Sequence, residues 1–402
     1  MQLDLDTLPL ALARAIRRAL TAAQAARWED AGEAWGEAGE LALAERRLDI
    51  ARLAALQAVD AFRRDDRPAS TLIGVERALQ LTEDPGQRAG LSAYLIACLL
   101  DAGQLQLAEQ TARERLAAGV PPNIHAILLD SLAGALLARG DLIGLQAVVH
   151  QLRSGAEGLL AEAARFREAQ LARLLGHLDE AERGFHDVAE ALGDQPAARG
   201  ACAAAVGELA ELAWVSGEAA EALTLYDEAA RLWTEAGRRG GLFSVSAGRA
   251  LAALAAGARP LPSALDEPIA YAESRGMPLL ESRARLARAL ARHAAGLPGA
   301  LDDLNLALRL ADEAQAPWLA GMSRVLAAEA GLLGGVEALQ RALEDCSGNT
   351  PWYARAALLL AERLLEQDPV EAGKLAAIAL SRFTVMEIEA GAERAKALLS
   401  RV

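Results

Sequence analysis

The segment Gly176-His-Leu-Asp-Glu-Ala181-Glu-Arg-Gly-Phe185-His-Asp-Val188 decides the fold. A glycine opens a turn, two carboxylates sit where a helix would begin, and then Ala181, Phe185 and Val188 recur at i, i+4 and i+7. Those three positions lie on one stripe of an α-helix. A small residue lets a neighbouring helix come close, and the ring four residues on fills the groove beside it. The same phrase returns as Gly217-Glu-Ala-Ala-Glu-Ala222 with Tyr226 and Ala229, as Gly103 with Ala108 and Ala112, and as Ala31, Trp35 and Ala38 preceded by Trp28.

Taking the first small position as a marker, the series runs Ala31, Thr71, Ala108, Leu145, Ala181, Ala222, Ala264, Ala300, Ala338, Ala372. The intervals, about 34 to 42 residues, are those of helix-pair repeats. Ala264 and Ala338 match poorly, and Leu145 breaks the small-residue rule. Between the stripes lie further amphipathic segments: Arg88 to Leu100, Ile124 to Ala138, Ala161 to Leu175, Arg199 to Val215 and Leu280 to Ala295. They end at Gly103, Gly140, Gly176, Gly217 and Gly296, where a left-handed C-cap favours glycine. Pro85, Pro121, Pro196, Pro278, Pro317 and Pro351 stand at or just before first helices, as helix starts allow.

Composition agrees. Of 402 residues, 53% are apolar, 24% charged and only 4% aromatic. So much apolar surface excludes a disordered chain, and so few rings and β-branched residues argue against a β-sandwich or barrel. Alanine and leucine dominate, and both favour helix.

The repeat unit resembles the tetratricopeptide repeat, whose second helix carries a Gly-x-x-x-x-Ala-x-x-x-(Tyr/Phe)-x-x-Ala pattern. The likeness is strongest in the units of Ala31, Ala108, Ala181 and Ala222. Several units exceed the usual length, and the first helices lack the family's Trp-Leu-Gly-Tyr series. Long, alanine-rich units of this kind are similar to the sensor arms of bacterial LuxR-type regulators. The resemblance implies an all-α, right-handed α-solenoid of about ten antiparallel helix pairs. Residues 1–385 would form one continuous array and residues 386–402 a C-terminal capping helix. Glu387, Glu389, Glu393, Arg394 and Lys396 give that last segment a polar outer face, as the end of a stack requires. One pair of ~38 residues cannot offset the roughly 1.5 kcal/mol per residue lost on ordering, so neighbours must share their apolar faces.

Charge and cysteines narrow the function. A net charge of −14 gives no general support for nucleic-acid binding, which gains affinity from basic surface. Lys374 and Lys396 are the only lysines; the arginine bias suits bidentate carboxylate contacts, and a GC-rich coding sequence produces the same bias. Cys98, Cys202 and Cys346 are far apart in apolar helical contexts and read as buried hydrophobes in a reducing compartment. The start of the chain is acidic where a signal peptide would be basic. The longest uncharged run, Leu116 to Leu129, holds two prolines and is shorter than a membrane span. A cytoplasmic location is expected.

Motifs for chemistry are missing. Gly373-Lys374 is followed by Leu375, so no phosphate-binding loop forms. The histidines are scattered, and carboxylates such as Glu29, Asp30, Glu33, Asp302 and Asp303 suit helix N-termini. No cofactor or metal is expected, and no enzyme. Trp28, Trp35, Trp214, Trp233, Trp318 and Trp352 read as packing residues, with Trp318 or Trp352 at an exposed binding edge as the alternative.

One constellation is distinctive. Between Leu280 and Ala295, the side chains of Glu281, Arg285, Arg288 and Arg292 project from one face of the helix. In the family fold, first helices line the concave surface. This stripe therefore marks candidate partner-binding residues, Arg285, Arg288 and Arg292, for an acidic side chain or C-terminal carboxylate. The alternative is that they pair with Asp302 and Asp303 of the next helix. The expected function is a non-catalytic adaptor binding a protein or peptide, or else a sensor that binds a small molecule or signalling peptide and acts through another chain.

Overall fold

A computed structural model describes residues 5–402, apart from the side chain of Asn123. Among them are 21 α-helices and no strand. They run as ten consecutive pairs and a final helix: α1 Leu10–Gln24 and α2 Trp28–Ala44, α3 Leu48–Arg64 and α4 Pro68–Leu81, α5 Pro85–Asp101 and α6 Leu105–Ala117, α7 Pro122–Arg139 and α8 Leu142–Gly155, α9 Leu159–Leu175 and α10 Leu178–Gly193. Then follow α11 Arg199–Ser216 and α12 Ala219–Glu235, α13 Arg239–Ala255 and α14 Asp266–Arg275, α15 Pro278–Ala294 and α16 Ala300–Glu313, α17 Pro317–Glu329 and α18 Val336–Asp345, α19 Thr350–Leu364 and α20 Pro369–Val385, and α21 Glu389–Leu399. The fold is an α-solenoid of tetratricopeptide-like helix pairs. The acidic residues 1–4, read above against a signal peptide, lie outside the described residues.

The turns explain the regularity. Each of the five glycines expected to end a first helix has a positive φ, from 67° at Gly296 to 95° at Gly217. Beyond Gly176, the His177 N–H donates to the Ala172 carbonyl at 2.9 Å; beyond Gly217, the Glu218 N–H donates to Ala213 at 2.8 Å. These are six-to-one bonds of the Schellman kind, which satisfy a helix's last carbonyls and reverse the chain within two residues. Where Ala26, Arg46, Asp66, Gln315 or Glu387 takes the glycine's place, the backbone still has φ between 51° and 58°.

The marker stripe is the seam. Ala31, Ala108, Ala181, Ala222 and Ala372 are fully buried, and Phe185 and Tyr226 fill the neighbouring grooves. Thr71 and Leu145 are equally buried, so the seam also accepts larger residues at this position. At the two poor matches the register slips by one. Ala264 is exposed and Leu265, Ile269 and Ala272 are buried instead; Ala338 gives way to Leu339 and Cys346. A 3-10 turn at Pro262–Leu265 lengthens the connection before α14 and accounts for the first slip.

The described chain divides into two compact units. One comprises residues 5–132 with Arg275–Met277. Its core joins Leu12, Ile16, Trp35 and Ile50 and continues through Val59, Val75 and Leu91. The other comprises Ala133–Ser274 and Pro278–Val402. It carries both candidate sites described below. At its end α21 packs on α19 and α20 through Ala392, Ala395 and Leu398, while Glu387, Glu389, Glu393, Arg394 and Lys396 are exposed.

Unit two also has a contact that nearest-neighbour stacking does not require. The first helices α9 and α11 meet α19, most directly through the Trp214 and Trp352 rings, edge to face with centroids 5.5 Å apart. Both indoles are buried. Trp352 is thus a packing residue, and Arg355 stacks on its ring at 4.5 Å while bonding Glu329.

Candidate functional site

The arginine stripe comes first. Arg285, Arg288 and Arg292 do stand on one face of α15, but their side chains are only 12%, 13% and 29% exposed. All three converge on Asp303, itself 4% exposed, in the first turn of α16. Arg288 grips it bidentately, Nε to Oδ2 at 2.9 Å and Nη2 to Oδ1 at 2.6 Å. Arg292 Nη1 reaches Oδ2 at 2.6 Å and Arg285 Nη1 lies 3.5 Å from Oδ1. Around the rim, Arg285 bonds Glu281 at 2.6 Å and Arg288 bonds Asp266 at 2.7 Å. The hydrogen bond to Asp303 raises the Arg288 pKa above its ordinary value. Of the two readings the sequence offers, an open face or pairing with the next helix, the structure has the second: Asp303 closes the face. The reason is positional: an aspartate at a helix N-terminus is favoured by the dipole, and the hairpin carries it directly opposite α15.

A second polar cluster, which the sequence reading did not single out, gathers residues from four helices of three repeats. Glu208 and Glu211 come from α11, Gln170 and Arg173 from α9, Tyr226 from α12 and Arg283 from α15. Gln170 Nε2 donates to Glu208 Oε1 at 2.7 Å, and Arg173 Nε lies 3.2 Å from Glu208 Oε2. The Tyr226 hydroxyl donates to Glu211 Oε1 at 2.5 Å, and Arg283 binds the same oxygen through Nη2. Burial pushes the Arg283 guanidinium down to about 10 and the Tyr226 phenol well up. Arg283 remains charged at neutral pH. Its Nε, shielded from solvent, has no hydrogen-bond acceptor in this arrangement.

Beside the cluster lies a cavity of about 220 Å³. Phe166 and Trp233 wall it, and Glu208, Glu211, Ser244 and Arg283 make its polar side. Glycines make the room. A Cβ at Gly241 would run into the Trp233 ring, and one at Gly248 would meet Tyr226 Oη and Arg283 Nη2. A mid-helix glycine costs about 0.5–1 kcal/mol relative to alanine, so glycines inside α11 and α13 were the one sequence signal for this place. The pairings themselves are long-range and have no periodicity to find.

No protein-family model matches the sequence, and no curated protein is similar enough to count as a relative. Solved structures are similar in fold. The Rap protein complexed with competence and sporulation factor is 14% identical over 79% of this chain and 97% of its own, with a TM-score of 0.48. The P58(IPK) TPR domain is 12% identical over 97% and 98%, with a TM-score of 0.25. Yeast Tom70 is 15% identical over 87% and 96%, with a TM-score of 0.29. All three are tetratricopeptide-type repeat proteins.

Proposed function

We propose that the chain is a non-catalytic scaffold that binds a protein or peptide on the first helices of its second unit. The observation that carries this reading is the Arg173–Glu208 and Glu211–Arg283 cluster beside its cavity. Stacking of alanine seams needs no charges there, and a buried ion pair often stabilises no more than apolar packing would. A binding surface explains their retention. In this reading residues 1–385 work as one array and the helix within 386–402 closes its end. Three free, buried thiols suit a reducing, cytoplasmic setting, and no helix among the described residues is long and apolar enough to cross a membrane.

The stripe of Arg285, Arg288 and Arg292 serves the reading in a secondary way. An acidic or C-terminal carboxylate of the partner would meet Arg292, the most exposed of the three, in competition with Asp303. Affinity capture with the full chain, followed by Glu208→Gln and Arg283→Gln in the same chain, tests the proposal. Partner binding that falls with either variant supports it, and a partner indifferent to both rejects it.

A second reading is favoured by the contact between Trp214 and Trp352. A groove ligand that altered the stacking of α9 and α11 would act on α19 directly, as in a sensor signalling through another chain. Thermal-shift screening of metabolites and short peptides separates the two, because a saturating ligand raises apparent stability.

A further inference from the structure

Resting on the binding-scaffold reading, we propose that the cavity between Phe166 and Trp233 receives one aromatic ring bearing a neutral polar tip, a phenol or an indole. Size is the first argument. An apolar cavity of roughly 150 Å³ holds benzene, and this one offers about 220 Å³, room for a ring and one polar group more. The walls are the second. The Trp233 ring lies against Gly200 and Gly241, where a side chain at either position would crowd it, so the indole is held flat as a platform. Aromatic guests gain from such walls by ring-on-ring contact beyond the area they bury.

The polar side sets the tip. Arg173 faces Glu208 and Arg283 faces Glu211, so positive and negative charges are matched in pairs. A charged guest would enter with no counter-charge to meet it. A purely aliphatic guest would leave Arg283 Nε, shielded and without an acceptor, still unserved, which is costly. A hydroxyl or indole N–H, by contrast, finds both donors and carboxylate oxygens around it. The guest's tip is therefore neutral and hydrogen-bonding.

The full-length chain tests this with blocked amino acids: N-acetyl-tyrosinamide, N-acetyl-tryptophanamide, N-acetyl-leucinamide and N-acetyl-argininamide, read by saturation-transfer NMR and by competition. The two aromatic amides should bind about tenfold more tightly than the others, a difference of about 1.4 kcal/mol. Gly207 lines the cavity, and a Cβ there would stand 3.5 Å from Val245, an ordinary contact. Gly207→Leu should fill the space and lose at least about tenfold. If Gly207→Leu does not fold, Ser244→Leu on the facing helix replaces it. Equal binding of the leucine and aromatic amides, or aromatic binding that survives the filled cavity, overturns the proposal. The source of the ring is read in the same series. Tyrosine-bearing peptides tighter than the amide point to a protein partner, and free tyrosine or tryptophan tighter than either points to a metabolite. A captured partner insensitive to Gly207→Leu but sensitive to Glu208→Gln rejects the cavity alone and leaves the scaffold reading standing.

Discussion

Trp214 on α11 and Trp352 on α19 touch edge to face although α12 to α18 lie between them in the chain. In a simple stack each repeat is stabilised only by its neighbours. This pair instead ties two distant repeats of unit two together, and the turn at Gly176 joins in: a Cβ there would stand 3.0 Å from both Met386 and Thr350. Truncating either ring should therefore cost more than a seam residue of similar burial. Trp214→Ala and Trp352→Ala are each expected to lose about 3–5 kcal/mol by urea unfolding. The double variant should lose about 0.5–1.5 kcal/mol less than the sum. Strict additivity would mean the rings do not interact.

Asp303 is the hub of three guanidiniums. Asp303→Asn keeps the shape and removes the charge, leaving Arg285, Arg288 and Arg292 to repel one another in a poorly solvated place. The expected loss is about 3–5 kcal/mol, as when one partner of a buried pair is removed. Adding Arg288→Met to Asp303→Asn should restore part of that stability. A melting midpoint unchanged in Asp303→Asn would show that the arginines find other partners at no cost, and would reopen the stripe as a surface for ligands.

The alanine seam and its turns were legible from the sequence because both are local. Ala181 with Phe185, and Gly176 with its positive φ, follow from spacing and backbone sterics alone. The register slips at Ala264 and Ala338 arose where connections before the helix lengthen, which a marker count cannot register. The polar cluster was not legible. Arg283 stands two residues from Arg285, on a different face of α15, and its partner Glu211 belongs to another repeat. Only the stacking of non-adjacent repeats within unit two brings them together, and no local pattern encodes that. Spacing puts the arginine stripe on one helix face and offers the carboxylates of the next helix as partners; it cannot decide between that pairing and an open face.

Overpacking tests the seam directly. Ala181 has no exposed surface, and Ala181→Trp would force α10 away from its neighbour. A loss on the order of 1–3 kcal/mol or more is expected, read as a lowered midpoint in thermal unfolding. A midpoint equal to that of the parent would remove Ala181 from the seam.

Two thiols make a pH prediction. Burial pushes Cys98 and Cys346 up to about 12, while an unfolded thiol ionises at about 8.5. Above that lower value the unfolded chain releases protons that the folded chain retains, so stability falls as pH rises from there toward 12. One unit above the unfolded pKa the loss is about 1.4 kcal/mol per thiol. Below about 8 the thiols contribute no pH dependence, and both should resist alkylation in the native chain. Urea midpoints between pH 8 and 10 should drop less steeply in the Cys98→Ala, Cys346→Ala double variant. Parallel slopes in the two proteins would show that neither thiol stays protonated on folding.

Gln315 offers the one stabilising change argued from backbone alone. It holds a φ of 55° at the turn between α16 and α17, a region costing an L-residue about 1–2 kcal/mol that glycine does not incur. Its side chain is exposed, so little packing is lost on its removal. The Ala316 N–H keeps its bond to the Ala311 carbonyl, at 2.9 Å, whichever residue precedes it. Glycine's greater freedom in the unfolded chain subtracts part of the gain. Gln315→Gly should therefore raise stability by about 0.5–1 kcal/mol. The mirror experiment, Gly217→Ala at φ 95°, should lower it by a similar or larger amount. Differential scanning calorimetry of both variants checks the pair, and shifts of the same sign would mean that left-handed strain does not govern these turns.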